Sequence, residues 1–299
     1  MCRSERSCTR SKWVDLRTES FSAIVLPGSD FLLRTLLQAL AIPTAVWVTS
    51  AAQATACSAT AYLTFDTGNM RHAEEIAATL LKHDAKASFF LANEKTARGD
   101  HALDPSWAPY WRARAAEGHA FGSHTWRHGR IGGRGEFITY QPQFGEGQGR
   151  TLQMSAADFC TELRRPGIAF HEHTGRSLDA IWRAPGGRVS APAIAAAREC
   201  GFAHVHWADA GFLGDELPSE SQPNAQLLKN ALAGVRDGDV LLAHLGIWSR
   251  KDPFAPMIDP LIAGLKQRGF CFKTLKQHPD YQSSRPLGKL ASTAPARIR

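Results

Sequence analysis

The sequence predicts an α/β fold of repeated strand–helix units around a mostly parallel sheet or barrel, in a single domain. Three observations predict it. Short β-prone apolar runs alternate with segments of helical apolar spacing from about residue 61 to residue 272. The polar residues that stand out follow the ends of predicted strands, where chemistry sits in parallel α/β folds. Finally, 299 residues, 43% hydrophobic and 21% charged, supply one sizeable core.

The elements follow in order. Ala61-Tyr62-Leu63-Thr64-Phe65 is a β-prone run, and Ala73 to Leu81 has helical spacing through Ile76, Ala77, Leu80 and Leu81. Ala87 to Leu91 reads as the next strand. Trp111 to Glu117 is helical and stops at Gly118, a plausible residue just past a helix end. His119 to Ser123 is a strand running into a loop. Gly129 to Gly149, rich in Gly, Gln and Arg, reads as a long irregular loop that covers a groove or is a mobile insertion. Ala156 to His173 is a helix ended by Thr174-Gly175, and Ala180 to Trp182 a strand. Then come a helix over 191–199, a strand over 203–207 and a helix over 226–235. A strand over 240–243, a helix over 258–268 and Phe270-Cys271-Phe272 complete the pattern.

The ends differ from this middle. Arg34 precedes an apolar stretch from Leu36 to Val48, followed by small residues with Ala-x-Ala sites at 52–54 and 54–56. These are the parts of a secretory signal, so residues 1–56 are expected to be an N-terminal extension and signal peptide and the protein to be exported, periplasmic or secreted. Residues before about 30 are unusual for a signal, which fits a start downstream of Met1; a buried N-terminal helix is the competing reading, and Pro43 in its middle opposes it. Ala54-Thr55-Ala56-Cys57 also reads as a weak lipoprotein site, with Cys57 acylated and a membrane reached through that lipid alone. The domain is expected over residues 58–280 and a disordered tail over 281–299.

Charge excludes some classes. The net charge is +7, of which residues 1–56, with six basic against four acidic residues, carry +2. A mild positive balance suits an anionic envelope polymer among many other partners. The basic residues are scattered, without the stripe or interleaved aromatics of a nucleic-acid groove, so no nucleic-acid partner is expected. No run of about 18 apolar residues spans a membrane. Cys57, Cys160, Cys200 and Cys271 are too widely spaced for a zinc knuckle and are read as buried thiols or a disulfide.

The marked polar residues are Asp66, His124, His128, Arg183, Asp209 and His244. Each has a bland reading by itself: a turn Asp, a satisfied core His, an Arg on a surface carboxylate. His124-x-x-x-His128 puts two imidazoles one turn apart if helical, a usual arrangement for a divalent metal, yet it also arises by chance.

In order, the segments resemble the polysaccharide deacetylase family, carbohydrate esterase family 4, also called the NodB-homology domain. Thr64-Phe65-Asp66-Thr67-Gly68 resembles the family's Thr-Phe-Asp-Asp-Gly. His124-Thr125-Trp126-Arg127-His128, after Glu117-Gly118-His119, resembles His-Ser/Thr-x-x-His, and Arg183-Ala184-Pro185-Gly186-Gly187 resembles Arg-x-Pro-x-Gly. Trp207-Ala208-Asp209 is similar to a Trp-and-Asp segment, and Leu241-Leu242-Ala243-His244 to Leu-x-x-His. The resemblance runs over about residues 60–276.

It implies a distorted (β/α) barrel and hydrolysis of N-acetyl groups on an N-acetylglucosamine-containing polysaccharide of cell-wall, chitin-like or exopolysaccharide type. A divalent metal, usually zinc, would lie on His124 and His128, with Thr67 at the third ligand position, polarising the amide carbonyl and activating water. Asp66 would be the general base, oriented by Arg183. His244 would protonate the leaving amine, with Asp209 supporting its charged form. Thr67 departs from the pattern: the family has a second metal-binding Asp there, and a Thr hydroxyl is a poorer zinc ligand than a carboxylate. Asp66 turning onto the metal, a carboxylate from elsewhere or the amide oxygen of Asn69, or a weak or absent metal are the open accounts. The alternative function is therefore a catalytically weak carbohydrate-binding protein on the same fold; hydrolysis of a small non-sugar amide is a third. Trp107, Tyr110, Trp126, Phe212 and Trp248 are candidates for stacking on sugar rings.

Overall fold

The computed structural model describes residues 57–282. The leader expected over residues 1–56 lies outside them, as does the tail expected over 281–299 apart from Tyr281 and Gln282, which stand in a turn. Among the described residues no helix is long and apolar enough to cross a membrane.

Strand β1 (Ala59–Asp66) organises the sheet. It is buried along its last six residues, as expected for a parallel strand covered on both faces. Alternation divides its side chains: Ala61, Leu63 and Phe65 enter the main core beneath the helices, whereas Tyr62 joins Phe90, Ile181, Val205 and Val240 inside the curl of the sheet. On one side β1 pairs with β2 (Ala87–Leu91), which pairs with β3 (Ala120–Ser123), then β7 (Ile181–Trp182) and β8 (Ala203–His204). On the other side β10 (Phe270–Phe272) pairs with residues 59–61 and β9 (Val240–His244) with residues 62–66. All of these pairings are parallel, giving the distorted (β/α) barrel that was expected. Strand β8 stops at His204, short of the expected Trp207.

Helices cover the outside where spacing predicts them. Helix α1 (Ala73–Lys82) buries Ala73, Ile76, Ala77 and Leu80, with Glu74 and Glu75 in its first turn and Lys82 in its last, each sign matching the helix dipole. The others are α2 (Ala108–Ala116), α3 (Ala156–Thr174), α4 (Ala191–Glu199), α5 (Asn224–Gly234) and α6 (Ile258–Gln267). Helix α3 begins with a capping box between Ser155 and Asp158 and ends at Gly175 in the left-handed region, φ 70°.

The irregular loop expected over Gly129–Gly149 is corrected. Strands β4 (Arg130–Gly132), β5 (Ile138–Gln141) and β6 (Leu152–Met154) form a small antiparallel sheet there. Ile131, Ile138, Tyr140 and Met154 are its buried side chains, packed on the Phe159 and Leu163 side of α3. Glycines and polar residues between these apolar ones mask the alternation in the sequence.

Two disulfides close the fold: Cys57–Cys271 joins the chain two residues before β1 to β10, and Cys160–Cys200 joins α3 to the end of α4. Acylation of Cys57 is corrected accordingly, because a sulfur held in a disulfide cannot also carry a thioether-linked lipid.

Candidate active site

The carboxyl ends of β1, β3, β7 and β9 converge on one cleft of about 400 Å³, lined among others by Asp66, His128, Arg188, Trp207, Glu216 and His244. Register places the first and last of the motifs together: Asp66, the final residue of β1, lies beside His244, the final residue of β9. Gly68 is required just beyond. Its φ is +53°, and a Cβ there would stand 2.1 Å from the Gly246 carbonyl oxygen. The loops after β1 and β9 thereby pack backbone to backbone, with the Asn69 N–H donating to that same carbonyl at 2.9 Å.

Arg183, fully buried after β7, holds Asp66. Its Nη1 donates to Asp66 Oδ1 at 3.0 Å and to Thr64 Oγ1 at 2.8 Å, while the guanidinium lies 4.2 Å from the centre of the Phe90 ring. Burial opposes ionisation of Asp66, but the cations of Arg183 and His244 outweigh it and hold the carboxyl below the ordinary carboxylate range. Asp66 is thus an anion kept in one orientation.

The two histidines do not sit on a helix. Residues 124–128 form a loop in which Thr125 (φ 61°) and His128 (φ 45°) take left-handed conformations, costly for residues with a Cβ. Tyr140 from β5 braces this loop: its hydroxyl accepts from the Gly129 N–H at 2.9 Å and lies 3.0 Å from Thr125 Oγ1 and from Glu162 Oε2. The result brings His124 Nε2 and His128 Nε2 to 3.1 Å.

Protonation follows from partners. His124 Nδ1 lies 2.9 Å from the Arg183 carbonyl, which only accepts, so Nδ1 carries the proton. Burial keeps His124 neutral, lowering its pKa to about 4. Its Nε2 lone pair therefore faces His128 Nε2 at 3.1 Å and Asp66 Oδ2 at 3.3 Å. Three lone-pair donors crowd together with at most one proton among them, and His128 Nδ1 is buried without a partner. The two imidazole lone pairs beside a fixed anion suit a divalent cation. Among the described residues no group of three His, Cys, Asp or Glu side chains is already drawn in to ligand spacing; the histidine pair is preset and its third partner is not.

Thr67 does not offer its hydroxyl to this point. Its Oγ1 accepts from the Ala92 N–H at 3.2 Å and donates to Glu94 Oε2 at 2.7 Å, and the Gly68 N–H donates to the same oxygen at 2.8 Å. The metal role expected for Thr67 is corrected to one of support for Glu94.

Asp209 is corrected too. It is exposed, in the turn Asp209–Gly211. The acid that holds His244 is Asp215: Oδ1 lies 3.0 Å from His244 Nδ1, and Oδ2 accepts from the His244 backbone N–H at 2.7 Å. Burial disfavours the His244 cation, but Asp215 outweighs it and raises the pKa to about 9. No local motif marks Asp215; the pairing of Phe212 with Leu242 of β9 carries its loop to the site. Glu94 was missed in the same way, a lone acid three residues past β2.

Of the aromatic candidates, Trp107 and Tyr110 are buried in the core, Trp126 is packed half-buried against it, Phe212 stacks on Trp207 and Trp248 is 60% exposed. The aromatic that lines the cleft is Trp207. A Cβ on Gly187 (φ +67°) would stand 2.5 Å from the outer edge of its ring, so the turn after Arg183 lies close against that edge.

Comparison with known proteins gives a consistent result. The family model described as "Polysaccharide deacetylase" matches residues 53–205, about half of the chain. A comparison with curated sequences gives no match. Among solved structures, the Bc1960 peptidoglycan N-acetylglucosamine deacetylase is 22% identical, over 76% of this chain and 90% of that one, with a TM-score of 0.58. A family 4 acetyl xylan esterase from Clostridium thermocellum, in complex with a cobalt ion, is 21% identical over 73% and 89%, at 0.57. BA3943 from Bacillus anthracis, described as a CE4 family pseudoenzyme, is 16% identical over 73% and 64%, at 0.54.

Proposed function

We propose, from the premise that the chain belongs to the polysaccharide deacetylase family, that it is a metal-dependent hydrolase removing N-acetyl groups from an N-acetylglucosamine-containing polysaccharide. The observation that carries the reading is the pair of opposed proton-transfer groups across one cleft: Asp66 fixed as an anion by Arg183, and His244 fixed as a cation by Asp215.

Each group is set for one direction of proton transfer. Asp66, oriented by Arg183, accepts the proton of the attacking water. His244 gives its proton to the departing amine nitrogen, and Asp215 stabilises the charged ring until then. A divalent ion on His124 and His128, zinc being the family's usual choice, would supply Lewis acidity to the amide carbonyl and to the water. Trp207 offers an aromatic face for the pyranose ring. The names of the solved neighbours, which include a peptidoglycan N-acetylglucosamine deacetylase and a cobalt-bound acetyl xylan esterase, support an acetylated sugar polymer and a metal. Two disulfides suit an oxidising compartment outside the cytoplasm.

Thr67 favours a second reading, a sugar-binding protein with little catalysis. Acetate release from N-acetylglucosamine oligomers separates the two. The expected outcome for the metal-stripped protein is no release until zinc or cobalt is added, and none in His124→Ala with either metal. Oligosaccharide binding without acetate release under any metal would establish the binder.

A further inference from the structure

We infer that Glu94 supplies the carboxylate ligand of the metal site that position 67 no longer provides. The inference rests on the metal-dependent reading above. Glu94 stands at the vacated position: its Oε2 is held by the Thr67 hydroxyl and the Gly68 N–H, the two residues that follow Asp66. A shorter side chain on the β1 loop is thus met by a longer one from beyond β2. Oε2 is fixed by these two donors. Oε1 accepts no hydrogen bond from the described residues and lies 3.8 Å from His128 Nδ1, itself buried without a partner.

Charge points the same way. The Glu94 side chain is only 15% exposed, yet among the described residues no Lys or Arg nitrogen lies within ion-pair distance of it. The nearby fixed cations are used elsewhere, Arg183 on Asp66 and His244 on Asp215. A largely buried carboxylate whose charged neighbours are imidazoles, with no Lys or Arg beside it among the described residues, is completed by a cation. Asp66, the other acid within reach, is already engaged with Arg183 and is needed free of metal to take a proton.

The test measures metal binding directly on the full chain, by calorimetric titration with zinc and by the visible absorption of cobalt(II). The expected result is one ion per chain in the wild type and a loss of more than about 100-fold in affinity in Glu94→Gln, beyond the range seen when a group merely orients a ligand. Thr67→Asp in the Glu94→Gln background is expected to restore binding to within about tenfold of wild type. Asp66→Asn should retain the metal. A smaller loss in Glu94→Gln, or loss in Asp66→Asn with Glu94→Gln intact, overturns the assignment. If the wild type binds no metal but Thr67→Asp does, Glu94 is not a ligand while the family chemistry stands; if neither binds, the metal-dependent reading falls with it. Circular-dichroism melting of each variant confirms that it is folded.

Discussion

His244 owes its charge first to Asp215, with Asp66 and Glu216 adding to it. With Asp215 in place its pKa rises from 6.5 to about 9, so the proton donated to the leaving amine is present across neutral pH. The folded-state value is raised, so the stability contributed by the pair is complete below about pH 6.5 and is lost as pH rises through about 9. Asp215→Asn should therefore bring the alkaline limb of the rate profile down from near pH 9 toward neutrality, read from kcat/KM against pH; an unmoved limb would remove Asp215 from the proton transfer. His124 has the opposite sign. Its folded value is lowered to about 4 by burial, so acidification from 6.5 toward 4 destabilises the fold. At this scale the sequence was legible where chemistry sits in short contiguous strings. Asp66 and His244 end strands, Arg183, His124 and His128 stand in the segments that follow strands, and the five come together at one end of the sheet. Glu94 and Asp215 were not legible, because each is one acid on a loop, placed by strand pairings far away in the chain. Thr67 signalled that a carboxylate was wanted without saying from where.

Among the elements, the small antiparallel sheet has the least obvious task and the clearest test. Its Tyr140 is the brace of the histidine loop, whose left-handed residues would otherwise be free to relax. Tyr140→Phe leaves the buried Gly129 N–H without an acceptor, at a cost of about 1–3 kcal/mol. Its acetate-release rate should fall further than this stability loss explains, as measured by thermal melting alongside initial rates. Unchanged rates would show that the loop holds its shape unaided. Periodicity found the helices and parallel strands because each presents a continuous apolar stripe or run. It missed β4, β5 and β6 because only Ile131, Ile138, Tyr140 and Met154 face inward, amid glycines and charges. The histidine pair, one turn apart only if helical, stands instead on a turn built on Thr125 and His128.

For the whole molecule, the two disulfides are the long-range ties. Replacing Cys57 and Cys271 by Ser should lower stability by about 2–4 kcal/mol through the freed unfolded chain, a drop of several degrees in Tm, while leaving the cleft geometry intact; a calorimetric scan of both forms measures it. The position of β1 has a further consequence, for the order of events during synthesis. Among the described strands this one emerges first, yet one of its sides is completed only by β9 and β10, whose paired residues lie 178 and 211 positions further along. Until the ribosome has passed Phe272, the central strand keeps a bare edge and the domain cannot close. Such non-local pairing makes folding slow. It leaves a long interval in which the nascent polypeptide carries an exposed strand edge open to wrong pairing.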